Sequence, residues 1–457
     1  MEIYHYRSIE RALQEIENCT FYFATSEEVN DPIEGYVRIF WQGDKYAWEG
    51  LLRNYVCHLA KNILTSLSLT HDINTLYAFH NSMAIGMTKT SIVPSDEVLK
   101  DIGDSFLADD GIQALTTFYG QRKLKIYEKG LKSILYFVCN IALKFCISKY
   151  SEMGIISKED ADNKLRILTY GPPIKKLFTL MNETPPNPNQ LNLAFQIGID
   201  CLEDMTELRY IQDSIAFKLK QIKGWMTIPV DFPKLYAAQL KRMMYPSNFV
   251  VCFSLNDNNS AMWGNYADCH RGVCLIYETD KNGTIEVKGD YNIPYPTKGK
   301  SISYGGDLVE RNFFETLGGI NSSKDEWLIG ADGSCSSSLE AFKDKEHWEN
   351  EYRKICEIKA YSKLKEWASE QEYRIVLDNI YNDFSTQESR TLKYDPKCLR
   401  GVIFEIRTSE YDKKRIVEKI LNRKNEYDNF IFYQAEFDDE KQVITVLPKI
   451  GWESLMA

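Results

Sequence analysis

Three short stretches, far apart in the chain, hold the residues whose types and spacing could do chemistry. The first is Ile3-Tyr4-His5-Tyr6-Arg7. The second is Val250-Val251-Cys252-Phe253-Ser254, followed by Ala261-Met262-Trp263-Gly264-Asn265-Tyr266-Ala267-Asp268. The third is Trp367-Ala368-Ser369-Glu370-Gln371-Glu372-Tyr373-Arg374-Ile375-Val376. An arginine at a strand end, a serine closing an apolar strand and a Glu-x-Glu are the parts an enzyme needs to hold NAD and break its glycosidic bond. Residues two apart on a strand share a face, so Glu370 and Glu372 would project together about 7 Å apart. One carboxylate could stabilise an oxocarbenium-like transition state while the other takes a proton from an acceptor. Crowding two carboxylates raises one pKa, which suits a general base.

Each residue also has a plainer reading. Arg7 precedes Ser8, an expected helix N-cap, and the pair could bind a pyrophosphate; a strand-end arginine also makes ordinary ion pairs. Ser254 could meet a ribose or carboxamide, or simply start the turn at Asn256-Asp257-Asn258-Asn259. Ser260 could cap a short helix that sets Trp263 and Tyr266 three apart on one face. That pair could stack on nicotinamide or adenine, or belong to the core. Glu370, Glu372 and Arg374 could equally form a self-paired face on an exposed strand.

The elements that must position these residues read as follows. Ile3–Arg7 is a strand, Ile9, Leu13 and Ile16 form one helical face, and Thr20–Ala24 returns as a strand. Asn30-Asp31-Pro32 is a turn. From about Tyr46 to Tyr245 strand signals nearly vanish. Helical periodicity appears at 48–67, 112–119, 126–150, 158–168 and 199–223. Breakers stand at Gly171-Pro172-Pro173 and Pro185-Pro186-Asn187-Pro188. Strands resume at 249–255, 272–277, 373–377, 401–406, 430–433 and 443–446, with one helix near Tyr411–Asn422. Gly318–Leu339 is rich in Gly, Ser and Asp and reads as a mobile loop. The expected organisation is an α+β core from 1–45 and 246–457, with a helical insertion over 46–245.

Composition narrows the partners. The chain has 457 residues, 44% of them hydrophobic and 13% aromatic, and a net charge of −10. That charge disfavours a general nucleic-acid coat, which works by neutralising phosphate. The 11 cysteines include no Cys-x-x-Cys. With no leader-like start, this reads as a cytoplasmic protein with reduced thiols. The apolar run Ile134–Ile147 is too short for a bilayer and reads as a buried helix, so no membrane contact is expected. The six histidines form no zinc spacing, and no metal is expected. Gly299-Lys300-Ser301 lacks the glycine and the strand-to-helix setting of a phosphate loop. Glu357-Ile358-Lys359 lacks an acidic partner. Arg53-Asn54-Tyr55-Val56-Cys57-His58 resembles the motif of the HEPN ribonucleases and offers a ribonuclease reading centred on Arg53 and His58.

Joined together, the motifs resemble those of a bacterial family, domain of unknown function 2971. They are Tyr4/Tyr6/Arg7, Val29-Asn30-Asp31-Pro32, Cys252-Phe253-Ser254, Met262-Trp263/Tyr266-Ala267/Gly272 and Trp367/Glu370/Glu372/Arg374, covering about residues 1–35 and 248–450. Val29 stands where the family usually has phenylalanine. The order Arg, Ser, Glu-x-Glu also resembles that of one class of ADP-ribosyltransferases, with the usual Ser-Thr-Ser reduced here to Cys-Phe-Ser. That resemblance implies an ADP-ribosyltransferase-like mixed β-core that consumes NAD. It implies Glu372 as catalytic glutamate and Glu370 as acceptor-side carboxylate. Arg7, Ser254, Trp263, Tyr266 and Tyr4 would contact NAD. The acceptor would be a macromolecule or water, in a defence or toxin setting. The other reading is a non-enzymatic nucleotide- or protein-binding module whose helical insertion meets a partner. The NAD reading requires Arg7, Ser254 and Glu372 to line one pocket. Arg7 and Glu372 on opposite faces of a sheet would contradict it.

Overall fold

Alternation in the first strand sets the core. In β1 (Glu2–Arg7) Ile3 and His5 are buried on one face, and Tyr6 is buried on the other. Ser8 has the extended backbone of an N-cap (ψ 157°), though its side chain makes no capping bond. The following helix α1 (Ile9–Asn18) buries Ala12, Leu13, Glu15 and Ile16, and ends where Cys19 turns left-handed. The computed structural model describes all residues except 32, 34, 69–93, 169–207, 209–227, 246, 290–293, 307–308, 318–323, 331, 379–383, 385 and 457. The helix expected at 199–223, both proline-rich breakers and Pro32 lie outside the described residues.

The chain is mixed α/β and divides into two units. The first comprises 1–36, 246–308 and 354–457; the second comprises 37–245 and 309–353. The sequence reading had kept 309–353 with the core. Those residues go with the helical unit because Glu310–Asn312 pairs in parallel with Arg38–Trp41.

The first unit is built on a nine-stranded sheet. Its labelled strands are β1, β2 (Asn248–Ser254), β3 (Val273–Glu278), β5 (Glu372–Asp378), β6 (Leu399–Phe404), β7 (Ile431–Asp438) and β8 (Val443–Pro448). Lys300–Ser301 lies at one edge, the order runs from it through β5, β2, β1, β3, β6 and β7 to β8, and the ninth strand, Ala24–Thr25, pairs with β2 off this path. Neighbours are antiparallel except β6 and β7. A two-residue strand, β4 (Ser362–Lys363), pairs separately with Ser303–Tyr304. On the first face Ile3, Val251, Phe253, Leu275, Tyr277, Ile375 and Val402 pack with α1 and with α3 (Glu410–Leu421). On the second face the short helix α2 (Ser260–Tyr266) lies over Tyr6, Cys274, Ile276 and Ile403. Burial on both faces is why these strands read as apolar runs rather than clean alternations.

In the second unit, helices Lys45–Ser68, Asp110–Arg122 and Glu128–Glu152 fall where the periodicity placed them, and Lys158–Leu168 matches as well. The sequence reading did not anticipate Asp96–Leu107 and Ile228–Met244. Glu128–Glu152 is long and apolar enough to cross a membrane. Ile134, Leu135, Val138, Cys139, Ala142, Leu143, Cys146 and Ile147 are all buried, the arrangement of a core helix. The described part of Gly318–Leu339 is not an open loop. It forms a helical turn at Lys324–Leu328 whose Trp327 and Leu328 are fully buried.

Candidate functional site

Register brings most of the expected residues together. Tyr4 of β1 and Glu372 of β5 both stand opposite Ser254 of β2, so the three form one row across three neighbouring strands. They share the face covered by α2. Tyr266 joins them by donating from its hydroxyl to Glu370 Oε1 at 2.7 Å.

Arg7 does not join them. It stands opposite Val273, with the residues of the first face, and its Nε donates to Glu15 Oε2 of α1 at 3.0 Å. It lies three positions from Tyr4, an odd offset, and side chains alternate along a strand. Arg7 and Glu372 therefore lie on opposite faces of the sheet. The expected phosphate contact is instead part of a buried network. His5 Nδ1 and the Tyr277 hydroxyl both meet Glu15 Oε1, at 2.9 and 2.6 Å. Burial opposes charge on Glu15, but His5, Arg7 and Tyr277 outweigh it and hold the carboxyl down to about 2. Burial keeps His5 below its usual pKa, so it serves as a neutral donor. The unfolded carboxyl titrates at about 4.3, so Glu15's contribution is present above that pH and lost as pH falls towards 2. Arg7→Ala should thus leave nucleotide affinity unchanged. It should lower unfolding stability by about 1–3 kcal/mol, because Glu15 loses its cation. Urea denaturation with a parallel binding titration checks both.

Glu370 and Glu372 do meet, by a route other than the one expected. Glu370 closes a 3-10 turn (Lys365–Glu370), Gln371 is left-handed (φ 45°), and only Glu372 begins the strand. Both carboxylates converge on Lys363 Nζ of β4, at 2.7 Å and 3.0 Å. Glu372 Oε1 also accepts from Arg374 at 2.7 Å, and Arg374 in turn donates to Ala360 O. The backbone N–H of Glu372 donates to the Tyr304 hydroxyl. Lys363 sits 4.8 Å over the Trp367 ring. Side-chain exposure is 6% for Lys363, 6% for Glu370, 4% for Glu372 and 1% for Arg374, so the cluster is closed to solvent. Burial disfavours charge on Glu372, and Arg374 and Lys363 outweigh it, holding its pKa below the ordinary carboxylate value. At Glu372 the shift is therefore downward rather than upward, because two cations dominate that carboxylate. Lys363 is held above its usual value, since the two glutamates outweigh its burial.

Ser254 and Trp263 are corrected too. Ser254 Oγ is fully buried, donates to Glu370 O and accepts from Asn256 N, so it holds the turn rather than facing a ligand. Trp263 is fully buried, edge-on to Tyr6 at 4.8 Å, as the core reading had it. The cap of α2 is Asn259, one residue before the expected Ser260. Tyr4 is half-buried, and its hydroxyl donates to Glu2. In the helical unit Arg53 reaches Asp104 at 2.7 Å, while His58 is 1% exposed. A buried histidine cannot reach an RNA 2′-hydroxyl, so the ribonuclease pair is not presented.

Sequence reasoning missed a different constellation in the first unit. A pocket of about 530 Å³ is lined by Asn258, Ser260, His270, Glu405, Arg407 and the apolar Ile406, Phe437, Val443 and Ile444, with Gln442. Glu405 follows β6 and is fully buried. Its Oε1 meets His270 Nδ1 at 2.8 Å, and its Oε2 accepts from Arg407 N at 2.9 Å. His270 ends three successive left-handed residues, Asp268, Cys269 and His270 (φ 48°, 51° and 69°). Such backbone costs about 1–3 kcal/mol per residue, and here it swings His270 back against α2. The two partners are far apart in sequence and in no motif; the scarcity of histidine was the only hint.

No curated protein and no solved structure matches the chain. Residues 262–375, from α2 into β5, match the family described as Protein of unknown function (DUF2971).

Proposed function

We propose that the α+β unit binds an anionic small molecule, of the nucleotide class, in the pocket beside α2. The observation that carries this reading is the pocket's chemistry. A volume of about 530 Å³ suits a drug-sized ligand. Its apolar wall of Ile406, Phe437, Val443 and Ile444 gives a ring or chain a place to lie. Arg407 supplies a planar fork suited to phosphate or carboxylate. Glu405, the one carboxylate among the described lining residues, is engaged by His270 and a backbone N–H, which leaves the Arg407 side chain for an anion. Titration calorimetry with ADP and with inorganic pyrophosphate tests this. Arg407→Ala should weaken ADP binding at least tenfold, about 1.4 kcal/mol.

A second reading, the NAD-consuming, ADP-ribosyltransferase-like chemistry, has lost its requirement that Arg7 and Glu372 share a face, and only the alignment of Tyr4 and Glu372 across neighbouring strands favours it. It needs a phosphate contact other than Arg7, and it needs Lys363 to leave both carboxylates when NAD arrives. Labelled NAD tests it. Nicotinamide release that falls by orders of magnitude in Glu372→Gln, in a protein that still melts cooperatively, would support this reading. No release from the unaltered protein would remove it.

A further inference from the structure

We propose that Ser260, His270 and Glu405 form an acyl-transfer centre, with Asn258 as the oxyanion donor, acting on a carboxylic ester that carries an acidic group. Three observations support it. First, a fully buried carboxylate holds His270 Nδ1 at 2.8 Å. A carboxylate only accepts, so the proton sits on Nδ1 and Nε2 is left as the basic nitrogen. Second, Nε2 lies beside α2, 3.7 Å from where a Cβ on Gly264 would be. Ser260 is four residues earlier, on the same face of that helix and one turn away, and it lines the same pocket. Third, the pocket holds the remaining groups such a reaction needs. The Asn258 side-chain amide can donate to a developing oxyanion. Arg407 can pair with the substrate's acid, and Phe437, Val443 and Ile444 can hold its apolar part.

The step balances without a further reagent. Ser260 Oγ attacks the ester carbonyl carbon while His270 Nε2 takes the hydroxyl proton. The tetrahedral intermediate collapses, the ester C–O bond breaks, and His270 returns the proton to the leaving alkoxide. Water, deprotonated by the same nitrogen, then attacks the acyl-serine and releases the acid and free Ser260. Glu405 is a positioning residue, since it acts through the imidazole. The left-handed run at 268–270 is what brings the imidazole beside Gly264.

The substrate's acidic group rests on the anion-binding reading above; the relay of Ser260, His270 and Glu405 does not. The test uses the full chain and a fluorophosphonate probe, which a base-activated serine displaces with loss of fluoride. Mass spectrometry of the digest should find the phosphonyl group on Ser260. Ser260→Ala should abolish labelling, and His270→Ala should slow it at least about a hundredfold. Glu405→Gln should slow labelling by a similar factor and shift its pH profile while the protein still melts cooperatively; a collapsed pocket would lose the cooperative melt. Should that buried variant fail to fold, Ser260→Ala and His270→Ala, at accessible positions, still decide the matter. Hydrolysis of p-nitrophenyl hemisuccinate should exceed that of the acetate ester, and Arg407→Ala should bring that ratio towards one. Labelling of Ser260 in a protein that binds no ADP would keep the relay and remove the anion reading. A wild-type protein unlabelled at Ser260, or Ser260→Ala hydrolysing esters as fast as wild type, would overturn the proposal.

Discussion

Lys363→Met is expected to lower the unfolding free energy of the α+β unit by about 3–5 kcal/mol at pH 7, the cost of removing one partner from a buried charge network. Lys363 is the shared cation of Glu370 and Glu372, and all three are nearly excluded from solvent. Without it, Arg374 remains on Glu372, but among the described residues the Glu370 carboxylate keeps the Tyr266 hydroxyl alone. In the intact protein the charged states span neutral pH. Glu372, held low, contributes stability present above about pH 4.3 and lost as pH falls through its folded value. Lys363, held high, contributes stability present below about pH 10.4 and lost only as pH rises through its folded value. Glu372 lacking one of its two cations takes up a proton more readily, so the gap between variant and wild type should narrow from pH 7 to pH 5. Chemical denaturation at both pH values measures this. A variant as stable as wild type, or a gap independent of pH, would mean that the cluster is open and hydrated.

Gly272→Ala carries the second large effect. A Cβ at this position would stand 2.1 Å from the Arg7 carbonyl oxygen and 3.0 Å from the Ala267 backbone. Those neighbours are main chain in a central strand and a helix end, so neither can swing aside. Overpacking of this kind typically costs about 1–3 kcal/mol, and a backbone clash belongs at or above the top of that range. The substitution should also part β1 from β3 at the Arg7–Val273 pair and shift His270, two residues before it. Thermal melting should fall sharply, and fluorophosphonate labelling should fall with it. The glycine of the Met-Trp-x-x-Tyr-Ala-x-x-x-x-Gly pattern is thus explained by close approach of β1. Normal melting of Gly272→Ala would contradict that explanation.

Sequence legibility followed the strength of the physical signal. Strands such as Asn248–Ser254 and Leu399–Phe404 are apolar on both faces and bounded by polar turns, so they could be placed to within a residue or two. The helix Lys345–Tyr361 was missed because it is largely solvated: among its residues only Ile355 and Ala360 are buried, leaving no apolar stripe to read. Ile228–Met244 was hidden by Pro229 near its start and Pro233 inside it. At the site, periodicity could say that Tyr4, Ser254 and Glu372 belong to strands, and their adjacency followed. It could not say which face Arg7 takes relative to Glu372, because that depends on how separate strands register, and a one-residue change reverses every side chain. Nor could it find Lys363. That lysine enters from a two-residue strand paired with Ser303–Tyr304, a pairing with no local signature. The Glu-x-Glu motif therefore looked like an open pair of carboxylates when it is a neutralised one.

The central claim is that ligands of this unit meet the pocket of His270 and Arg407 rather than the cluster of Glu370 and Glu372. The most direct measurement is an ADP titration of three proteins: wild type, Arg407→Ala and Glu370→Gln. The account predicts saturable binding to wild type, binding at least tenfold weaker in Arg407→Ala, and affinity within twofold of wild type in Glu370→Gln. Affinity retained in Arg407→Ala and lost in a folded Glu370→Gln protein would contradict it, and would place the ligand at the carboxylate cluster instead.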